Sequence, residues 1–161
     1  MLSMEGEQEC KTLLDEDYPV YGPMISPNGR WMTYTSNESG DFKVYVSPFP
    51  NVDGGRWQIS SNGGSWPIWS PDPNRRELFY LHREDVISVE FEETESTFTP
   101  RSSRKLFSGS YTTTSFKFWD IRPDGKRFLM ITDTLPQENA EYKIIVVQNW
   151  FEELKKLAPM D

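Results

Sequence analysis

The sequence has little of what most catalytic and metal centres require. Its 161 residues include one cysteine, Cys10, and one histidine, His82. A single cysteine excludes an intrachain disulfide and a cysteine metal cluster. One histidine and one cysteine are also too few ligands for a histidine zinc site. The chain also has no Gly-x-Ser-x-Gly nucleophile elbow, glycine-rich phosphate loop or Asp-Phe-Gly triplet. We therefore predict no catalytic, cofactor-binding or metal-binding residues, and no enzyme activity.

Long apolar runs and a basic leader are missing as well. No stretch reaches the roughly 18 apolar residues of a membrane-spanning helix, and Met1–Glu9 is acidic where a signal peptide would be basic and then apolar. We expect a soluble chain without an export signal. Acidic residues outnumber basic ones, 25 to 17, for a net charge of −8. Because an acidic surface repels phosphate backbones, nucleic acid is not an expected partner.

The chain does contain many aromatic side chains and one repeated pattern. Aromatic residues make up 14% of the sequence, which favours a packed β protein over a disordered chain. Three times, around Pro27, Pro71 and Pro123, a turn with proline at its second position precedes an alternating strand. These prolines are 44 and 52 positions apart. A unit of about 40 to 50 residues with several short strands is typical of a β-propeller blade.

The predicted fold is therefore all-β: a partial β-propeller of three four-stranded antiparallel blades with a short C-terminal helix. Along the chain we expect a flexible N-terminus, an orphan strand, the three blades, and a helix with its tail. Their predicted bounds are 1–10, 11–22, 23–64, 65–110, 111–148 and 149–161. The helix is inferred from the spacing of Trp150, Leu154 and Leu157.

Within the second blade, two local features are predicted. Asp72–Arg75 stands where the other copies have Asn-Gly or Asp-Gly, which predicts a wider turn. The polar stretch 92–103 is expected to be a loop, and the fourth strand of the blade is placed at Lys105–Phe107.

Several segments together resemble the TolB-like (WD40-like) propeller repeat, and in particular the C-terminal propeller of bacterial serine/threonine kinases. The segments that carry this resemblance are Ser26–Trp31, Ser36–Gly40, Val44–Val46, Pro48–Pro50, Trp57–Ser60, Gly63-Gly64, Trp69–Asp72, Glu77–Tyr80 and Asn149–Leu154. The resemblance implies a sensor or protein-binding propeller that is extracytoplasmic in a full-length parent, with any kinase domain outside this chain. Since a propeller ring needs four to eight blades, three blades imply a fragment or half of a larger propeller.

Three groups of residues invite a chemical interpretation, and each has a simpler structural one. His82–Asp85 is only loosely similar to a kinase catalytic loop and is predicted to be a hairpin turn. The carboxylates Asp15, Glu16 and Asp17, and Glu92, Glu93 and Glu95, lack the pattern of a calcium loop and are predicted to be solvated. The large aromatic residues are predicted to form inter-blade core rather than a stacking platform; they are Trp31, Tyr34, Trp57, Trp66, Trp69, Phe79, Tyr80, Phe118, Trp119 and Phe128.

The function predicted from these observations is that of a non-catalytic protein-binding or sensor module. Its loops between blades would present the binding surface. Two alternatives remain open: a half-propeller that self-associates through its exposed blade faces, and a regulatory tail of a kinase or peptidase whose catalytic domain is absent.

Overall fold

The computed structural model, which describes residues 10–72, 74–111, 119–132 and 145–148, contains three antiparallel sheets. This confirms the predicted all-β class. Within those residues the one helical element is a short 3-10 turn, Val52–Gly54. No described helix has the length and apolar character needed to cross a membrane. The predicted C-terminal helix and most of the predicted flexible N-terminus lie outside the described residues.

Each sheet is a meander in which neighbouring strands follow one another along the chain. Sheet 1 consists of β1 (Val20–Ile25), β2 (Trp31–Ser36), β3 (Lys43–Pro48) and β4 (Trp57–Gln58). Sheet 2 consists of β5 (Ser65–Trp69), β6 (Glu77–His82), β7 (Asp85–Glu93) and β8 (Phe98–Ser108). Sheet 3 consists, in the described residues, of β9 (Trp119–Ile121), β10 (Arg127–Met130) and β11 (Ile145–Gln148).

The three repeat turns, residues 26–30, 70–76 and 122–126, join the first and second strands of the sheets. In each turn an Asn or Asp side-chain oxygen accepts the backbone N–H of the residue two positions later. Oδ1 of Asn28, Asp72 and Asp124 does so at 3.1, 2.9 and 3.0 Å. Asparagine and aspartate are equivalent here because both offer that oxygen. The second turn is wider than the others, as predicted.

The first strands of sheets 1 and 2 share an irregularity in their pairing with the second strands. In β1 the register shifts between Tyr21 and Met24, and in β5 between Ser65 and Ile68. Each shift contains a residue with positive φ followed by proline: Gly22 (+65°) before Pro23, and Trp66 (+55°) before Pro67. Proline has no N–H for the ladder, so a bulge is the conformation in which a strand tolerates it.

The core lies between the sheets, where their faces stack. One buried cluster joins sheets 1 and 2 around Trp31, Trp69 and Phe98, and another joins sheets 2 and 3 around Phe79 and Phe128. Indole N–H groups also connect first strands of consecutive sheets: Trp69 Nε1 donates to the Met24 carbonyl and Trp119 Nε1 to the Trp66 carbonyl, each at 2.9 Å. Of the aromatic residues predicted to form core between sheets, all the described ones pack in the two clusters between sheets except Tyr34, which belongs to a third cluster on the outer face of sheet 1. Phe118 lies outside the described residues.

The predicted orphan strand is wrong. Residues 11–17 form no strand. Leu13 and Leu14 both pack against the buried cluster of Met32, Tyr34 and Tyr45 on the outer face of sheet 1. A strand would send adjacent leucines to opposite faces, whereas an irregular segment turns both toward the same apolar surface.

Two predicted boundaries also differ. The boundary after residue 22 falls inside β1, because the Gly22-Pro23 bulge interrupts the strand without ending it. The predicted loop 92–103 is wrong except at residues 94–97, since β7 extends to Glu93 and β8 begins at Phe98. As the outermost strand, β8 has a polar sequence, and Arg101 and Ser102 bond to Glu92 and Glu90 of β7.

Candidate binding cleft at the repeat turns

A small cleft, here called the turn cleft, lies between the first and second repeat turns. Its volume is about 50 Å³. Trp31, Trp69 and Phe91 contribute its apolar wall, while Ser70 and Glu93 contribute polar atoms. About 10–15 Å³ suffices for one water-sized group. The turn cleft therefore has room for the tip of one side chain and not for a drug-sized ligand.

The strand ends explain why these residues meet. Trp31 and Glu77 are the first residues after their turns, in β2 and β6. β7 ends beside them because Glu77 pairs with Glu90. Phe91 and Glu93 therefore follow at the same end of sheet 2, next to the first repeat turn.

Glu93 joins the first repeat turn to sheet 2. Its carboxylate accepts the indole N–H of Trp31 and the side-chain amide of Asn28, the latter at 3.0 and 3.2 Å. Arg30 Nη2 lies 2.8 Å from it and completes an ion pair. The Glu93 side chain is 8% exposed, so the prediction that this carboxylate is solvated is wrong. With three donors from residues 28–31, this carboxylate ties the first repeat turn to sheet 2.

Glu77 is a second buried carboxylate, 5% exposed, and it lies on the face of sheet 2 toward sheet 3. Its Oε1 accepts Ser88 Oγ at 2.6 Å and Arg104 Nη2 at 3.4 Å. Its Oε2 has an arginine, Arg75, at 3.9 Å and no hydrogen-bond donor. Ser70 Oγ, which lines the turn cleft, is likewise buried without a hydrogen-bond partner.

Charged side chains surround the mouth of the turn cleft. Asp72, Arg75 and Arg76 of the second turn line it, and an open groove of about 380 Å³ continues from them past Glu90 and Arg104. The rim therefore offers both signs of charge for a polar partner.

The third repeat turn lies beside the second. A Cβ built on Gly125 would lie 3.9 Å from Cβ of Asp72. The three repeat turns thus form one continuous surface, which we call the turn face. Its exposed side chains include Arg76 and Lys126.

The predicted hairpin at His82–Asp85 is confirmed. His82 pairs with Asp85 across a two-residue turn, and Arg83 takes a φ of +57°. The hydroxyl of Ser108 donates to Asp85 at 2.6 Å and lowers the pKa of that carboxyl. No group of three or more His, Cys, Asp or Glu side chains among the described residues is placed to hold a metal ion.

The first predicted acidic cluster contributes to a polar network on the outer face of sheet 1. Arg56 contacts the carboxylates of Glu38 and, at 3.7 Å, Glu16, and it donates to the hydroxyl of Tyr18 at 2.9 Å. That hydroxyl donates in turn to Glu38 at 2.9 Å. Desolvation, with the carboxylates, raises the pKa of Tyr18 to about 12 against the opposing effect of Arg56. The network holds residues 16–18 against sheet 1.

Sequence reasoning did not single out Ser70, Glu77 or Arg30. One signal was present: Glu77 is a charged residue directly before the apolar run Leu78–Leu81, where a charged residue is unusual. The partners of these residues come from distant positions, so spacing could not reveal them. No protein-family model matches the chain, and no curated protein matches it significantly.

Proposed function

We propose that the three sheets are consecutive blades of a TolB-like β-propeller. Four repeated features support this proposal: the face-to-face sheets, the equivalent turns, the proline bulges of β1 and β5, and the indole-to-carbonyl bonds between first strands. Propeller blades stack their sheets in this way around a common axis.

Within that architecture, the function we propose is protein binding, without catalysis, at the turn face. The observation that carries it is the turn cleft. Two turns 44 residues apart meet over an apolar wall with a buried serine hydroxyl and a charged rim. Protein interfaces use such a desolvated pocket with a polar rim to anchor a partner side chain. Turns on a rigid sheet scaffold are also the usual place for binding residues.

The experiment compares two variants that change charge equally. Arg76→Glu with Lys126→Glu alters the turn face, while Arg101→Glu with Lys105→Glu alters the outer strand β8. A random displayed-peptide library is enriched on the wild-type chain, and the enriched peptides are then measured on both variants.

Peptides that lose at least tenfold in affinity on the turn-face variant and keep it on the β8 variant support the proposal. Peptides that bind all three proteins equally, or prefer the turn-face variant, refute it. Turnover of a substrate by the purified chain, abolished by a point substitution, would refute its non-catalytic part.

A further inference from the structure

Two asparagine–glycine pairs occur in the sequence, Asn28-Gly29 and Asn62-Gly63. Asparagine is a thermolabile residue, and it is most labile before glycine, because no Cβ hinders the glycine nitrogen from reaching the asparagine side chain. Both asparagines are exposed, and both glycines have positive φ, +72° for Gly29 and +89° for Gly63. Exposure and glycine conformation therefore do not distinguish the two pairs.

Hydrogen bonds do distinguish them, because the first pair is held at each group that a reaction between glycine and asparagine would move. The Gly29 N–H donates to the Ser26 carbonyl at 2.8 Å. The side-chain oxygen of Asn28 accepts the Ser26 hydroxyl at 2.7 Å and the Arg30 N–H at 3.1 Å. Its amide nitrogen donates to Glu93 at 3.0 and 3.2 Å. For the glycine nitrogen to reach this side chain, several of these bonds must break.

The second pair lies in the linker between sheets 1 and 2, residues 59–64. The linker is at the end of the sheets opposite the repeat turns, since β5 begins after it and ends beside the second turn. Two bonds of 2.9 Å anchor it to sheet 1: Ser60 Oγ accepts a backbone N–H of β3, and the Gly64 N–H donates to the carbonyl just before β3. Between these anchors, the Asn62 side chain and the Gly63 N–H make no hydrogen bond within the described part of the chain. Asn62 also lines an open pocket of about 170 Å³, which gives its side chain room to turn and admits water.

We propose that Asn62-Gly63 is a site of spontaneous deamidation in the folded protein, and that the bonds of the first turn protect Asn28 from the same reaction. The Gly63 nitrogen attacks Cγ of Asn62, so that an N–Cγ bond forms and the Cγ–Nδ2 bond breaks. Nδ2 leaves as ammonia with the proton that the Gly63 nitrogen gives up. Water then opens the resulting succinimide. Cleavage of its N–Cγ bond gives aspartate, and cleavage of its other N–C bond gives isoaspartate, in which the main chain runs through Cγ.

Each product places a new carboxylate at the junction of sheets 1 and 2. The pocket around Asn62 is also lined by His82 and Lys105, and no acidic side chain lines it in the described part of the chain. Aspartate therefore fits there without repulsion. Isoaspartate adds a main-chain atom between the two anchors, and Gly64 has no room to shift, because even a Cβ on it would lie 2.7 Å from the Tyr80 ring. We expect aspartate to leave the stability of the fold unchanged and isoaspartate to lower it.

The first test follows both sites in the full-length chain, folded and in urea, at mildly alkaline pH. Trypsin cleaves after Arg30, Arg56 and Arg75, so the two asparagines fall on separate peptides, and mass spectrometry measures the conversion of amide to acid on each. In the folded protein Asn62 should convert at least about tenfold faster than Asn28, because only Asn28 must first lose hydrogen bonds. In urea the ratio should fall to about one, since neither site is then held.

Two substitutions test the cause of the protection. Glu93→Ala removes the acceptor of the Asn28 amide and should speed conversion of Asn28 in the folded protein, with no change at Asn62. Trp31→Phe is the matched control, because it removes a different bond to Glu93 and keeps the acceptor of Asn28. An unconverted Asn62, equal rates in the folded protein, or a ratio as large in urea as in the folded protein refutes the proposal. An equal effect of Glu93→Ala and Trp31→Phe on Asn28 refutes the protective role of its hydrogen bonds.

The second test compares the two products by urea denaturation. Asn62→Asp, which represents the aspartate product, should keep the wild-type midpoint, and the isolated isoaspartate form should unfold at a lower one. Asn62→Gln should stop the reaction at this position, because a glutamine side chain would have to close a larger ring. A stable isoaspartate form or a destabilised Asn62→Asp contradicts the fixed linker. This inference goes beyond binding at the turn face, and either can fail alone because the linker lies at the other end of the sheets.

Discussion

Replacing Glu93 tests how the first repeat turn is attached to sheet 2. Glu93→Ala removes the acceptor of the Trp31 indole N–H, on a residue that is 1% exposed, and of the Asn28 amide. Hydrogen bonds to charged groups contribute about 1.5–3 kcal/mol, and a buried donor left unsatisfied costs about 1–3 kcal/mol. The Arg30 pair adds at most about 1 kcal/mol, because the arginine is 41% exposed. We expect Glu93→Ala to lower the free energy of unfolding by about 2–4 kcal/mol.

The assay is urea denaturation followed by far-ultraviolet circular dichroism. Glu93→Gln retains an acceptor and should cost less than Glu93→Ala. Trp31→Phe removes the donor, so its cost and that of Glu93→Ala should not add; the coupling in a double-mutant cycle should be about 1.5–3 kcal/mol. A change below about 0.5 kcal/mol for Glu93→Ala, or purely additive costs, would show that this contact does not attach the turn.

Two further predictions concern stability, beside those already given for the turn face and for Asn62. Gly64→Ala should lower the free energy of unfolding, measured by urea denaturation, by about 2–3 kcal/mol, since the added Cβ would lie 2.7 Å from Cδ2 of Tyr80. A Cβ on Gly29 would meet nothing within 4 Å, so Gly29→Ala should lower the free energy of unfolding by only about 1 kcal/mol, from its φ of +72°. Equal losses for Gly64→Ala and Gly29→Ala would refute the steric argument. The pKa of Tyr18 is raised to about 12, so its stabilising contribution is complete below the unfolded pKa of about 10 and is lost as pH rises through 12. Tyr18→Phe should remove that part of the alkaline unfolding transition, and an unchanged transition would contradict it.

Much of the fold could be predicted from local sequence. Proline followed by Asn-Gly or Asp-Gly has few conformations, and the alternation after each turn determines which residues face inward. The turns at Pro27 and Pro123 therefore form as predicted, with Gly29 and Gly125 at φ values of +72° and +66°. The wrong predictions were also inferred from local sequence. Gly22-Pro23 suggested a break within what is β1, and the polar residues at the start of β8 suggested a loop.

The candidate site could not be predicted, because it depends on contacts between distant segments. Glu93 is 62 residues from Trp31 and 65 from Asn28. In sequence it is one of three nearby glutamates, and nothing local distinguishes it from Glu92, which forms an exposed pair with Arg101. The stacking of sheet 2 on sheet 1 places one of these carboxylates under the first turn and leaves the other in solvent.

The sequence by itself determined the class of the fold, the number of repeats and the residues of the aromatic core. These depend on alternation and turn chemistry, which act over a few residues. Only the tertiary structure decided which carboxylates are buried, that the repeat turns meet in one surface, and that the segment before β1 covers the outer face of sheet 1. Those outcomes depend on which sheet faces stack. Stacking brings together residues that are far apart along the chain, and no local sequence pattern indicates which distant residues will meet.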